Sequence, residues 1–392
     1  MSKYFNNKFF LAFLIIPFFN PSSLQYIPNT LQLYNVVQLW KLIVILLIIL
    51  AYLLRRRLST IVGLIILFEC YAIGISWING IFDIKVITNA LIAIAISMLT
   101  ELAIKNNLEL FLKTICSILI ILVVINFSLS LKFPNGLSSA TLYTNLQNPI
   151  YFLSIDNGMI KTLLPPLILS TLLFFQVKQK KIYKRYKVWI ILLNIISFIT
   201  LLIVGSSTGI VVYLVFISTL LLYTYVMKRK YPMKFILVIY LSFFAWVVIG
   251  GARLKIIDTA AGLFGKTGTF TGRTTLWINS IQKIIERPFL GYGYTSGIID
   301  IWGGNFSSHN LLLELVIQGG IGLGVLFLFL TIYAIQRLKY ASLDDFNIIA
   351  VGIFAFLLVG LFEVGISEMY FVLLVLASHV YSQEETKYLQ VQ

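Results

Sequence analysis

The sequence predicts an all-α polytopic membrane protein with about 11–12 transmembrane helices and one large extracytoplasmic loop containing an amphipathic helix. Three observations predict it. Mean hydropathy is +0.94; of 392 residues, 59% are hydrophobic and 11% charged, where a soluble domain carries about 25% charged residues. Apolar runs long enough to cross about 30 Å of hydrocarbon recur along the chain. The basic residues gather in alternate connections, which sets an orientation. Residues 1–392 therefore read as a single integral membrane domain.

The apolar runs cover residues 9–20, 37–54, 60–79, 87–104, 110–131, 160–177, 188–204, 209–227, 235–250, 309–336, 346–361 and 364–382. The first is short, ends at Asn20 and Pro21, and lacks the small-residue cleavage site of a signal peptide. It reads as a retained first segment, with a re-entrant path open to it. Cys70 and Cys116 both fall inside apolar runs, so neither a disulfide nor a thiolate metal site is expected.

Lys and Arg resist translocation and collect in short cytoplasmic connections. Lys3, Lys8, Arg55 to Arg57, Lys105, Lys113, the run KQKKIYKRYK at 178–187, KRKYPMK at 228–234, Arg337, Lys339 and Lys387 fall on one side. Only Lys41, Lys85, Lys132 and Lys161 are assigned to the opposite short connections. Both termini are thus expected in the cytoplasm, with a large extracytoplasmic loop at 251–308 and a smaller one at 132–159. A net charge of +15 would suggest a nucleic-acid partner in a soluble protein. Here topology accounts for most of it, and no nucleic acid is expected.

The loop 251–308 carries Arg253, Lys255, Lys266, Arg273, Lys283 and Arg287 against Asp258, Glu286 and Asp300. Long loops translocate regardless of charge, so each lysine has a bland explanation. The arginines fit a functional reading better, because guanidinium is a permanent, planar, bidentate partner for phosphate. A pyrophosphate at the outer leaflet is the ligand such a set would suit, with Arg253, Arg273 and Arg287 as candidates to bind it.

Within the loop, TTLWINSIQKIIERP at 274–288 places Trp277, Ile278, Ile281, Ile284 and Ile285 at helical spacing and ends at Pro288. The expectation is an amphipathic helix in the membrane interface, anchored by Trp277, with Gly272 and Arg273 at its N-terminus. PFLGYGYTSG follows, where Gly291 and Gly293 allow a tight turn and a close approach of backbone to ligand. Tyr292, Tyr294 and Trp302 suit either stacking on sugar rings or interfacial anchoring.

Ser308, His309 and Asn310 stand at the outer end of the next run, and Asn310, Glu314 and Gln318 share one helical face. Polar groups there must face protein or a wet cavity. His309 reads as a general base or substrate-binding group, or else as a satisfied interfacial histidine. His379, at the far end of the last run, reads as structural. Gly320 and Gly324 form a small-xxx-small pair that suits close helix packing. GLFGKTG at 262–268 is not a nucleotide loop, since Ala260 stands where its first glycine is required.

The order Gly272–Arg273, Trp277, Pro288, Leu290–Gly291–Tyr292–Gly293, His309–Asn310 and Gly319–Gly320 resembles the core pattern of the O-antigen ligase and polymerase superfamily, over roughly residues 205 to 325. The opening FFNPSSLQYIPNTLQLYNVVQLWKL is similar to the N-termini of capsular and exopolysaccharide polymerases of Gram-positive bacteria. One departure is Thr208 in the turn Gly205-Ser206-Ser207-Thr208-Gly209, where many members of that superfamily carry arginine. Arg253 or Arg273 then has to cover any phosphate grip supplied there.

The resemblance implies a multi-pass glycosyltransferase of the bacterial cytoplasmic membrane; no cofactor is expected, and the loop shows no carboxylate cluster for a metal. Its donor would be a polyprenyl-pyrophosphate-linked oligosaccharide, and its partners the lipid bilayer and the flippase and chain-length regulator of such pathways. A polymerase joins the glycan to another lipid-linked repeat unit, whereas a ligase uses a different acceptor. In either, His309 and Arg273 are the catalytic candidates, and Arg253, Arg287, Gly291, Gly293, Asn310 and Glu314 the substrate-binding ones. Glu363 and Glu368 are lesser candidates. A transporter is the rival of another class, but the halves show no repeat and the polar groups cluster at one surface.

Overall fold

The apolar runs fold as helices because a membrane core offers the backbone no other partner than itself. A computed structural model describes residues 5–55, 57–143, 146–177, 183–230, 233–246, 269–294, 297–301 and 304–380. Its helices are α1 (Lys8–Ile15, extended by a 3-10 turn over Ile16–Phe19), α2 (Leu31–Leu53), α3 (Thr60–Ile78), α4 (Ile84–Lys132), α5 (Met159–Val177) and α6 (Tyr183–Val204). They continue with α7 (Ser207–Leu221, running into a π turn over Leu222–Met227), α8 (Met233–Phe244), α9 (Thr269–Glu286), α10 (Leu311–Arg337), α11 (Leu343–Gly360) and α12 (Glu368–His379). Eight helices among the described residues are long and apolar enough to cross a membrane. One of these, α4, covers two expected runs and breaks at Asn107 (φ −161°, ψ 95°).

The only sheets among the described residues are two antiparallel hairpins, β1 (Ser138–Tyr143) with β2 (Leu146–Ile150), and β3 (Ile299–Ile301) with β4 (Gly304–Phe306). The first stands where the sequence suggested only a polar loop.

Several helix N-termini are closed by side chains. Asn7, Asp83, Ser206, Asn310, Ser342 and Ser367 each accept from an amide in the first turn of the helix that follows. The centre of the bundle is α11 with α12, both buried nearly throughout. At about 1.5 Å per residue, α12 is too short to span the hydrocarbon. It does not face lipid, and its ends rest on polar groups. The peripheral α2 instead shows Leu39, Leu42, Leu46 and Leu50 as an exposed stripe at helical spacing, the pattern of a lipid-facing side.

Two polar clusters mark the two ends of α12. At its C-terminal end, buried Glu101 of α4 accepts from Tyr52 Oη at 2.7 Å, from Ser59 Oγ and from Lys105 Nζ, with His379 Nε2 3.5 Å away. His379 is structural here, as its sequence context indicated. Its N-terminal end meets the residues described next.

Lys41 corrects one assignment, since it sits inside α2, buried, with Nζ 3.0 Å from Asn20 Oδ1. The short first segment is what satisfies it.

Candidate functional site

Arg273 lies on the second turn of α9, because the helix begins at Thr269 rather than after Arg273. Its guanidinium is buried, with Nη2 3.2 Å from Glu363 Oε1 and its centre 5.9 Å from the Phe362 ring. The helix is held there by Trp277, which is only 1% exposed and packs on Leu313 with Phe244 and Phe362. Trp277 is therefore an internal packing residue, not the interfacial anchor that its amphipathic pattern suggested. Protein covers Trp277, Ile281 and Ile284 on the apolar face of α9, while Ile278 and Ile285 stay exposed.

Glu363 sits on the connection between α11 and α12, which neighbouring side chains fix on both sides. Leu361 O accepts from Asn310 Nδ2 at 3.1 Å, and Val364 O accepts from Lys161 Nζ. Lys161 is thus an element of α5 turned into the site, and not a loop residue. Burial pushes the Glu363 carboxyl up, while Lys161 and Arg273 pull it down. Burial likewise lowers Arg273, countered by Glu363 and then Asp156. At 3.2 Å the two form an ion pair whose mutual attraction offsets the desolvation of both.

His309 has φ +48°, a left-handed conformation that histidine adopts more readily than most residues. Its Nδ1 is buried with no hydrogen-bond partner among the described residues. Burial, then the Arg273 and Lys161 charges, lower its pKa to about 4. The ring is therefore neutral at pH 7 and keeps a lone pair beside two cations, the state a proton acceptor needs.

Asn310 caps α10, its Oδ1 accepting from Leu313 N at 3.0 Å, and is fully buried. Glu314 accepts from Ser308 N and Ser308 Oγ, both at 2.8 Å, and from Gln318 Nε2 at 3.1 Å. The expected shared face of Glu314 and Gln318 is present, with Asn310 turned to the α11–α12 connection. A cavity of about 370 Å³ opens beside Glu314 and is bounded also by Gln318, Tyr294 and Glu368.

Gly291 and Gly293 form their turn, but its backbone meets protein. Tyr292 N and Gly293 N donate at 2.8 Å to Ile317 O and Gln318 O. Those carbonyls are released because α10 breaks at Gly320 (φ +68°, ψ −177°), where a Cβ would lie 2.0 Å from Phe289 O. Gly320 is thus a helix break that receives the 288–293 turn, and not half of a packing pair. Gly322 is the glycine in close contact with α3, facing Tyr71.

Arg287 stands just beyond the far end of α9, roughly 20 Å along the axis from Arg273. It is exposed, 4.9 Å from the Tyr292 ring and 3.4 Å from Asn79 Oδ1. The fold brings Arg273, His309, Asn310 and Glu314 to one end of α10 and leaves Arg287 apart. Arg253, Trp302 and the 262–268 segment lie outside the described residues. Lys161 and Asp156 were missed as site residues. Their one signal was a lysine at the start of an apolar run on the side where lysine is scarce.

Residues 192–328 match the family model described as O-antigen ligase. That segment carries an O-antigen ligase family domain. The chain is also similar to the exopolysaccharide production protein ExoQ of Rhizobium meliloti (strain 1021), 28% identical over 136 residues. That similarity covers 30% of this chain and 31% of the relative, so the chain matches about a third of the length of that protein. The matched segment holds Arg273, the glycine turn, His309, Glu314 and the break at Gly320. Lys161 and Glu363, which complete the cluster around Arg273, lie outside it.

Proposed function

We propose that this protein is a polysaccharide polymerase, a membrane glycosyltransferase that joins polyprenyl-pyrophosphate-linked repeat units at the outer face of the cytoplasmic membrane. Its termini face the cytoplasm, in keeping with the distribution of Lys and Arg. The observation that carries the reading is the meeting of buried Arg273 with a neutral His309, in a superfamily of glycan-joining membrane proteins.

In this reading an acceptor sugar hydroxyl gives its proton to an imidazole nitrogen of His309 as its oxygen attacks the anomeric carbon. The bond from that carbon to the pyrophosphate oxygen breaks, and the electron pair leaves with the phosphate. Arg273, held in place by Glu363, stabilises the charge that develops, with Arg253 as a further donor; preorganised charge of this kind is usually the largest catalytic contribution. Burial does most to hold His309 unprotonated, and arriving pyrophosphate offsets the further contribution of Arg273 and Lys161, which strengthens the base.

A ligase that uses another acceptor is the second reading, favoured by the description of the matching family. Reconstitution with a purified lipid-linked repeat unit as sole glycan separates the two: a polymer ladder supports polymerisation, and transfer only to an added acceptor supports ligation. Arg273→Ala and His309→Ala, expressed in a deletion strain and verified in the membrane, are expected to abolish the surface polymer. Full-length polymer from both variants overturns the site assignment.

A further inference from the structure

The cavity beside Glu314 has a lining opposite in character to the Arg273 cluster. Its polar groups include Glu69, Asn89, Tyr294, Glu314, Gln318 and Glu368, with no lysine or arginine among the described residues that bound it. The carboxylates come from three separate helices, α3, α10 and α12. Glu69 lies in the middle of the apolar α3 and makes no hydrogen bond or ion pair among the described residues. A carboxylate at membrane depth is costly and by default marks function. Here it borders about 370 Å³ of space, within the range that holds a small ligand.

The lining narrows the class of ligand. A phosphate or carboxylate entering would meet three carboxyl groups and no cation among the described lining residues, so the cavity is unsuited to the pyrophosphate that the Arg273 side would take. A metal is also unsuited, since no set of three His, Cys, Asp or Glu is arranged to hold one among the described residues. What remains is a ligand rich in hydroxyl or ammonium donors with apolar faces. Carboxylates, amide groups and a phenol can receive its donors, and Phe68 and Phe371 bound the same space.

We propose that this cavity is a sugar subsite that admits neutral or aminated pyranoses of the acceptor glycan and rejects uronates. It rests on the glycosyltransferase reading, and its test is a binding measurement that needs no turnover.

Full-length protein in lipid nanodiscs would be titrated with methyl glucoside, methyl glucosaminide and methyl glucuronide, with binding followed by saturation-transfer NMR. The first two should bind saturably and compete, and the glucuronide should bind at least about tenfold more weakly. Glu69→Gln, which keeps the shape and replaces the carboxyl with an amide that can donate, should narrow that discrimination, and Ala72→Phe should fill the cavity and block all three. No saturable binding, equal binding of the glucuronide, or binding indifferent to both variants overturns the proposal. Sugar binding in protein that fails to transfer any lipid-linked glycan supports the subsite while removing the parent reading. Transfer without sugar binding does the reverse.

Discussion

Arg273 and Glu363 meet at 3.2 Å although ninety residues separate them in the chain. Arg273 belongs to the amphipathic α9, and Glu363 to the connection between the two most buried helices. Their pairing ties the segment that matches the O-antigen ligase family to the centre of the bundle.

Removing one partner of a buried pair costs about 3–5 kcal/mol, because the other is left uncompensated. Glu363→Gln is expected to lower thermal stability in detergent and to reduce transfer by displacing Arg273. Arg273→Ala should be destabilising as well, and Arg273→Ala with Glu363→Gln should cost less than the sum of the two. Strictly additive unfolding shifts would show that the pair is not coupled.

The pH response follows from His309. Its pKa of about 4 lies below the ordinary histidine value, so between about pH 6.5 and 4 the unfolded chain binds the proton that the folded chain refuses. Stability therefore falls as pH drops through that window. His309→Gln should flatten this part of the stability profile, measured as midpoint temperature against pH. In the wild type, kcat/KM should not fall near pH 6.5, because the free base stays neutral there.

The helix break gives a sharp steric expectation. Gly320→Ala would force a Cβ to 2.0 Å from Phe289 O at φ +68°, and Gly291→Ala would place one 2.4 Å from Ile317 O. Both should sharply reduce folded protein in the membrane fraction. Gly74→Ala in α3 meets nothing within 4 Å and is the control expected to be neutral or slightly stabilising. Normal accumulation of Gly320→Ala would mean that the 288–293 turn does not dock as described.

Orientation is open to labelling. With the Arg273 end outside, Phe289→Cys, which is 75% exposed, should react with an impermeant maleimide on intact cells. Lys228→Cys should react only after permeabilisation. The reverse pattern would invert the topology.

Much of the fold is legible because hydrophobic length is a one-dimensional property. The expected runs at 60–79, 160–177 and 309–336 appear as α3, α5 and α10 within a few residues. Helical face was also readable, which is why Glu314 and Gln318 were correctly placed together. What covers a face was not. Trp277 and its isoleucine partners have the same periodicity whether lipid or protein lies opposite, and only the tertiary contacts show that Trp277 packs on Leu313 while Ile278 and Ile285 stay exposed. Gly320 shows the same limit, since a glycine that packs helices and one that breaks a helix look alike in sequence.

By itself, the sequence determined that the protein is a polytopic helical membrane protein, and that Arg273 and His309 belong to one polar stretch leading into the helix of Glu314. Hydropathy, charge placement and helical spacing are local, and a reader of the chain can sum them. The tertiary structure alone decided that Lys161 and Glu363 join Arg273 and His309, that Arg287 stands apart, and that Glu69 borders a cavity with Glu314 and Glu368. Those meetings depend on how helices distant in the chain close on one another, and no spacing within a single segment encodes them.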